Sequence, residues 1–365
     1  MRPHPPSLRR ALHLALPLAL LACRDRPAEP DPASHGSSAA SAPAPRAPKV
    51  VEADFGAMGT TVAFKIWTDR EAAAKAAMLD ALVEIQRIEA MMTTWKDTSE
   101  VSRINAAAGG PPVEVSRELV DVLQAARAIH DESGGVFDVS FYGLKGLWRF
   151  DQDAVDQIPS DADIKARLPL VDGGKIEVDA GKRTVRLPVV GMAINLGGIA
   201  KGYAVDRAAA VLARDGFVDV VVQAGGDLLV KGRKGQADWQ VGIRDPRAAA
   251  GEFFAIAPIK DAAFSTAGDY ERSFVKDGKR YHHILDPRTG YPATACRSVT
   301  ILAPDALTAD ELDDAVFILG PEKGLALVEA RPGVGAVVVD RDNRVVVSKR
   351  LEGVVQILHP PTPGI

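Results

Sequence analysis

Between about residue 50 and residue 356, strand-like and helix-like hydrophobic periods are mixed without a regular βαβ repeat. That pattern makes the fold α+β rather than α/β. TTVAFKIW (60 to 67), rich in β-branched and aromatic residues, reads as a strand. Met78, Ala81, Leu82, Ile85, Ile88 and Met92 then recur at helical spacing over residues 70 to 92. A second helix, ELVDVLQAARAIHDE, takes Ser116 as its cap and stops at Gly134 and Gly135. Strand-like KIEVDA, TVRLPV and MAINL precede a helix, GYAVDRAAAVLARDG, and a strand, VDVVVQA. WQVGIRD, RYHHIL, SVTILA and VGAVVVD supply further strands, with a helix from about Asp310 to Phe317. The sequence has no internal repeat.

The fold does not begin at the first residue. Arg2, Arg9 and Arg10 precede ALHLALPLALLA (11 to 22), an apolar run too short to span a bilayer comfortably, which reads as an export signal. It ends in Leu20, Leu21, Ala22 and Cys23, similar to a bacterial lipoprotein box whose cysteine is lipid-modified and becomes the mature N-terminus. Leu21 is bulkier than the residue usual there, which leaves a plain secreted form as the alternative. From Arg24 to about Pro48 the chain is Pro, Ala, Ser and charge without apolar periodicity, the composition of a tether. The division is therefore signal peptide 1–22, lipid-anchored linker 23–48, folded domain 49–358 and C-terminal tail 359–365. With Cys23 acylated, Cys296 has no intramolecular partner and reads as a small buried hydrophobe. A net charge of -4 offers no basic footprint, which excludes nucleic acid as a partner class.

Three segments carry chemistry. LGGIAKGYAVDRAA (196 to 209) is a glycine-rich turn between a strand and a helix. Its exposed amides, the helix dipole and Lys201 suit an anion, and a tight turn with close packing is the plainer account. Its spacing matches neither the dinucleotide fingerprint nor the P-loop. In LTADELDDAVFILG, Thr308 and Glu311 fit a capping box and set Asp310 and Asp314 four apart on one helix face. Like charges at that spacing repel unless a cation lies between them, and hard oxygen ligands suit Mg²⁺ better than zinc; a solvated acidic first turn is the alternative. In YHHILDPRTGYPA, His282 and His283 alternate across a strand, so only one faces a given site and the other is a buried, hydrogen-bonded histidine. G-x-S-x-G, H-E-x-x-H and C-x-x-C are all missing, which disfavours a serine hydrolase, a zincin and a thiol oxidoreductase.

The order of the segments is itself informative: FGAMGTTV, TWKDTSEVSRIN, GGVFDVS, LGGIAKGYAVD, QAGGDLLVKG, WQVGIRDP, STAGDYER, HHILDPRTGYPA and TADELDDAVFILG. In this series the chain resembles the FAD:protein FMN transferases, the ApbE-like flavin transferase family, in lipoprotein form and over roughly residues 50 to 356. The resemblance implies T-fold-like mixed sheets with packed helices, a flavin cleft between two lobes, and residues 49–358 as the catalytic domain. It implies a Mg²⁺-dependent reaction in which FAD is the substrate. FMN passes to a Thr or Ser hydroxyl of an acceptor protein as a phosphoester, and AMP leaves. By motif position, Ala200 would give a backbone carbonyl to Mg²⁺, with Asp310 and Asp314 as side-chain ligands. Met58, Trp95, Val136, Phe137, Asp138, Gly197 and Ile284 would lie along the flavin or adenine, and His283 would be the acid/base. Electrostatics adds Lys201 and Arg288 as phosphate-facing charges. Asn195 stands where the family often has Asp, Ala267 where it has Ser, and Asp314 where it often has Thr. The implied setting is the periplasm-facing bacterial cell envelope, with a lipid anchor at Cys23 and an acceptor in a membrane redox complex. Two other readings are a Mg²⁺-dependent FAD pyrophosphatase giving FMN and AMP, and a non-catalytic flavin-binding lipoprotein. The last would be expected to lose Asp310, Asp314 or His283, and all three are present.

Overall fold

Thr60–Thr68 pairs antiparallel with Lys49–Ala57 across a two-residue turn at Met58 and Gly59. Both turn residues have positive φ, 53° and 69°, the type I′ geometry whose twist matches that of the flanking strands. Glycine adopts this freely, whereas a methionine there costs roughly 1–2 kcal/mol. The computed structural model describes residues 47–150 and 157–365. The export segment, Cys23 and the tether as far as residue 46 lie outside the described residues.

That hairpin opens an eight-stranded sheet in which it is followed by Val220–Ala224, Asp227–Lys231, Ala262–Gly268, Cys296–Ala303, Gly335–Asp340 and Val345–Val347. Every neighbouring pair is antiparallel. Alternate residues of the central strands serve two different cores. Leu229, Ala263, Ile301 and Val338 face the helices, whereas Leu228, Phe264, Leu302 and Val337 face a small sheet of Trp239–Arg244, Phe253–Ile259 and Gln356–Ile357. Cover on both faces explains why VGAVVVD is an unbroken apolar run: all six residues of Gly335–Asp340 are buried. Residues Pro45–Ile365 form one compact unit, so the two layers share the central sheet and are not separable domains.

Among the described residues the α-helices are α1 (Glu71–Met92), α2 (Glu100–Ala106), α3 (Arg117–Glu132), α4 (Asp161–Arg167), α5 (Ala200–Arg214) and α6 (Ala306–Glu329). None is long and apolar enough to cross a membrane. The periodicity places α1 and α3 correctly, and the Ser116 hydroxyl caps α3 by accepting from Leu119 N at 3.1 Å. Three expectations need correction. MAINL is not a strand, because the side-chain amide of Asn105 takes both backbone groups of Ile194, at 2.7 and 2.9 Å, in place of a strand partner. The capping box at Thr308 is also displaced. Asp305 caps α6 by accepting from Thr308 N at 2.8 Å, and Asp206 accepts from Ala306 N and Leu307 N at 2.9 Å each, so the first turn is already satisfied. The helix runs well beyond Phe317, kinked at Gly320 (φ 80°) ahead of Pro321. The C-terminal residues are pinned: Asp245 accepts from Thr362 N and Oγ1, both at 2.9 Å, and the Pro361 carbonyl accepts from Asn343 at 2.7 Å.

The helix pair that matters most is α5 on α6. They cross so closely that a Cβ on Gly202 would lie 2.2 Å from the carbonyl oxygen of Ala306. Alanine for glycine inside a helix ordinarily stabilises by about 1 kcal/mol. Here the obstacle is backbone and cannot swing aside, so the clash outweighs that gain. Gly202→Ala is expected to destabilise the protein by about 1–3 kcal/mol, read as a lowered thermal midpoint; an unchanged or raised midpoint contradicts the close crossing.

Candidate active site

The crossing of α5 and α6 brings the glycine-rich turn onto the acidic helix. The amide of Gly202 donates to Asp310 Oδ2 at 2.8 Å, and a Cβ on Gly198 would lie 2.7 Å from Asp314 Oδ2. Ala200, the first residue of α5, therefore sits in the same turn between the points where the two aspartates touch it. The turn and the acidic helix, separate in sequence, form one wall.

Behind that wall lies a chain of buried polar groups. The Lys201 ammonium donates to Asp227 Oδ2 and to Asp310 Oδ1, the latter at 3.3 Å, and the Ser265 hydroxyl touches both Asp227 Oδ1 and Asp313 Oδ2. Lys201 is thus turned toward carboxylates rather than presented as a free phosphate ligand. A hydroxyl has one hydrogen, so Ser265 can donate to only one carboxylate, and the other contact requires a protonated carboxyl. Burial, reinforced by Asp314 and Asp310, pushes the Asp313 carboxyl well above the usual range, which identifies it as the proton holder. Burial and then Asp227 push Asp310 up to about 8, with Lys201 opposing, and burial raises Asp314 to about 6. Burial alone would depress Lys201, but Asp227, Asp310 and Asp313 outweigh it and hold the ammonium firmly charged. With Asp313 protonated, Asp227, Asp310 and Asp314 still share one ammonium, an acidic excess that a hard divalent cation would relieve, and the Asp310, Asp314 and Ala200 oxygens are of the type Mg²⁺ takes. Asp227 and Asp313 are the residues sequence reasoning missed. The signal for Asp227 was an aspartate directly before the apolar run LLV in a strand.

The second wall is the hairpin of Ser273–Lys276 and Lys279–His282. It is steadied by stacking of Tyr281 on Phe274 (5.3 Å between centroids) and on Trp148 (5.8 Å). The two histidines that follow one another here divide their roles as the alternation requires. His282 is buried edge-on against Phe317, its Nε2 paired with the Ala293 carbonyl at 2.8 Å and its Nδ1 accepting from Ile284 N at 3.3 Å. His283 is half-buried, and its Nδ1 is buried without a hydrogen-bond partner among the described residues. Burial, then His282, Arg272 and Lys201, push its imidazole down to about 3, so it is neutral at physiological pH. The Arg272 carbonyl accepts from His283 N at 3.1 Å, and the Arg272 guanidinium reaches toward the strained Met58–Gly59 turn, 3.7 Å from where a Gly59 Cβ would stand. Arg272, at the end of STAGDYER, is a further site cation the sequence reading missed. Arg288 is corrected instead: Asp286, in its own turn, takes its Nε and Nη2 at 2.8 and 2.7 Å.

The remaining expected contacts divide. Phe137 lines the Gly198 position, its ring carbon 3.4 Å from a Cβ placed there, and Val136 and Ile284 are buried. Trp95 stands 84% exposed in the loop after α1, an indole face without a stacking partner among the described residues. Asn195 links that loop to the glycine-rich turn, donating to Thr94 Oγ1 at 3.3 Å and accepting from Gly197 N at 2.7 Å. Asp138 is committed inward, accepting from Ser140 N (2.7 Å), Ser140 Oγ (2.6 Å) and Gly173 N (2.8 Å) as the cap of a short 3₁₀ turn. Ala267 is buried in the sheet opposite Val299. Cys296 is a free, buried thiol, pushed up by burial to about 12.

An antiparallel α+β frame that buries a carboxylate-rich wall and a neutral, unpartnered histidine near the same lysine defines the class of site. The particular family is shown by comparison: residues 58–338 match the ApbE family model, and the chain belongs to that family. A curated relative from Treponema pallidum, named FAD:protein FMN transferase, is 34% identical over 319 residues, covering 82% of this chain and 87% of its own. A Klebsiella pneumoniae protein of the same name is 34% identical over 80% of this chain and 89% of its own. The structure of the ApbE protein of Thermotoga maritima superposes with a TM-score of 0.75 at 32% identity, covering 84% of this chain and 99% of its own. The flavin transferase ApbE of Vibrio cholerae gives the same TM-score at 27% identity and the same coverage.

The shifted groups set a pH dependence. A carboxyl whose folded pKa is raised holds its proton where the unfolded chain has released it, so its stabilising share is lost as pH rises toward the folded value. For Asp314, Glu311 and Asp310 that loss runs up to about 6, about 7 and about 8. His283 slopes the other way, between about 3 and 6.5, so the interval above 6.5 isolates the carboxyls. Metal-free protein is expected to lose melting temperature from pH 6.5 to 8, with Asp310→Asn reducing the slope above 7 and Asp313, also raised by burial, carrying the remainder. A flat or rising calorimetric midpoint contradicts this.

Proposed function

We propose that this chain transfers FMN from FAD to a Thr or Ser hydroxyl of an acceptor protein, forming a phosphoester and releasing AMP with the help of Mg²⁺. The observation that carries the reading is His283 Nδ1, buried and unpartnered, on an imidazole close enough to Lys201, the ion-pair partner of Asp310, to feel its charge. The names of the relatives support the same activity.

Asp310, Asp314 and the Ala200 carbonyl would hold the cation, which when bound supplies neutralisation of the pyrophosphate charge. The chain's own residues do the rest. His283, neutral at physiological pH, takes the proton of the acceptor hydroxyl as its oxygen bonds to the FMN phosphorus, while the bond from that phosphorus to the AMP oxygen breaks. Arg272, beside His283, meets the negative charge that collects on the leaving phosphate. Trp95 and Phe137 offer the flavin apolar faces, and the amides of the glycine-rich turn favour an anion at the start of α5. We further propose that the enzyme is lipid-anchored through Cys23 at the bacterial cell envelope, facing the periplasm, where a membrane redox protein is the acceptor. This rests on the basic start and short apolar run that precede Cys23.

With FAD and Mg²⁺, AMP release is expected to require acceptor, and acceptor mass to rise by one FMN. AMP without acceptor would make the protein a hydrolase, and no AMP would overturn both. His283→Ala should lower turnover by about 10²–10⁴-fold, the usual share of a general base, while FAD binding is retained. Loss of FAD binding in step with turnover would instead make His283 a binding residue.

A further inference from the structure

Asp227, Asp310 and Asp313 can each bring one carboxylate oxygen within 4.8 Å of the others, and all three are buried. That arrangement would ordinarily be read as a place for a divalent ion, beside the one assigned to Asp310, Asp314 and Ala200. The centre of the cluster is already taken. The Lys201 ammonium is bonded to Asp227 Oδ2 and to Asp310 Oδ1, so a divalent ion among the same oxygens would sit against a fixed positive charge. Lys201 is held in place from both ends. Its backbone is the second residue of α5, next to the Gly202 crossing that seats Asp310 on the Gly202 amide, and its partner Asp227 is tied through Ser265 to Asp313.

Resting on the metal reading above, we propose that Lys201 is a built-in cation that closes the Asp227, Asp310 and Asp313 cluster to metal and leaves Asp310 a single divalent ion, on its Asp314 side. Asp227 and Ser265 are positioning residues for Lys201. Together with the Gly202 amide, Lys201 fixes both oxygens of Asp310 by one hydrogen bond each and leaves their remaining lone pairs for the metal.

The test counts metal rather than turnover. Full-length protein stripped of metal by a chelator is titrated with Mn²⁺ alone, and bound Mn²⁺ is measured by electron paramagnetic resonance. Wild type and Lys201→Arg are expected to bind a single equivalent, and Lys201→Ala to gain a second. The double variant Lys201→Ala with Asp227→Asn, which removes charge from the emptied cluster, should return to one. A second equivalent in the wild type, or none gained in Lys201→Ala, overturns the proposal. Should Lys201→Ala fail to fold, the anomalous signal of Mn²⁺ in crystals of the wild type decides: a peak between Asp310 and Asp314 alone supports it, and a peak among Asp227, Asp310 and Asp313 overturns it. Wild type that binds no Mn²⁺ would overturn the metal reading itself, an outcome distinct from a wrong count.

Discussion

The structure depends on the contact of Gly202 with Ala306. Because Gly202 has no side chain, the first turn of α5 reaches the first turn of α6 backbone to backbone, and its amide falls on the Asp310 carboxylate. Every other feature of the acidic wall follows from that approach. Lys201, one residue earlier, is carried into the carboxylates, and Gly198, at the start of the same turn, is carried to Asp314. The central sheet serves the crossing by supplying Asp227 and Ser265 from adjoining strands, both so fully buried that neither polar group has an outlet to solvent.

Charge balance explains the second half of the site. Buried carboxylates that raise one another cannot all be ionised without a counter-charge, and the protein supplies one ammonium, one protonated carboxyl and helix-terminal amides. On the facing hairpin the opposite logic holds. His283 is dehydrated and lies near His282, Arg272 and Lys201, so it stays neutral, with its Nδ1 unpartnered among the described residues. An acidic wall suited to a cation and a neutral imidazole near it are what the proposed transfer of a phosphoryl group onto a hydroxyl would use.

Much of this was legible in the sequence. Helical spacing and Ser116 marked α1 and α3, and VGAVVVD marked a strand, which the structure covers on both faces. The alternation rule divided His282 from His283. What the sequence could not show were contacts between distant segments. MAINL has the composition of a strand, yet Asn105, from α2, supplies its hydrogen bonds. Thr308 and Glu311 fit a capping box, yet Asp206 of α5 and Asp305 had already satisfied the turn. Lys201 carries a charge suited to phosphate, but Asp227, 26 residues away, claims it. Asp138 stands in a motif that suggests ligand contact and is used as a cap. In each case the local signal was real and a long-range polar partner decided its use.

The central claim is that the FAD pyrophosphate lies between a cation on Asp310 and the His283 imidazole. The most direct measurement is the ³¹P spectrum of FAD bound to the His283→Ala protein, which should hold substrate without turning it over, before and after addition of Mn²⁺. Strong paramagnetic broadening of both phosphorus signals, abolished when Asp310→Asn is added, is the predicted result. Phosphorus signals that stay sharp while Mn²⁺ is bound would place the metal away from the pyrophosphate and contradict the account.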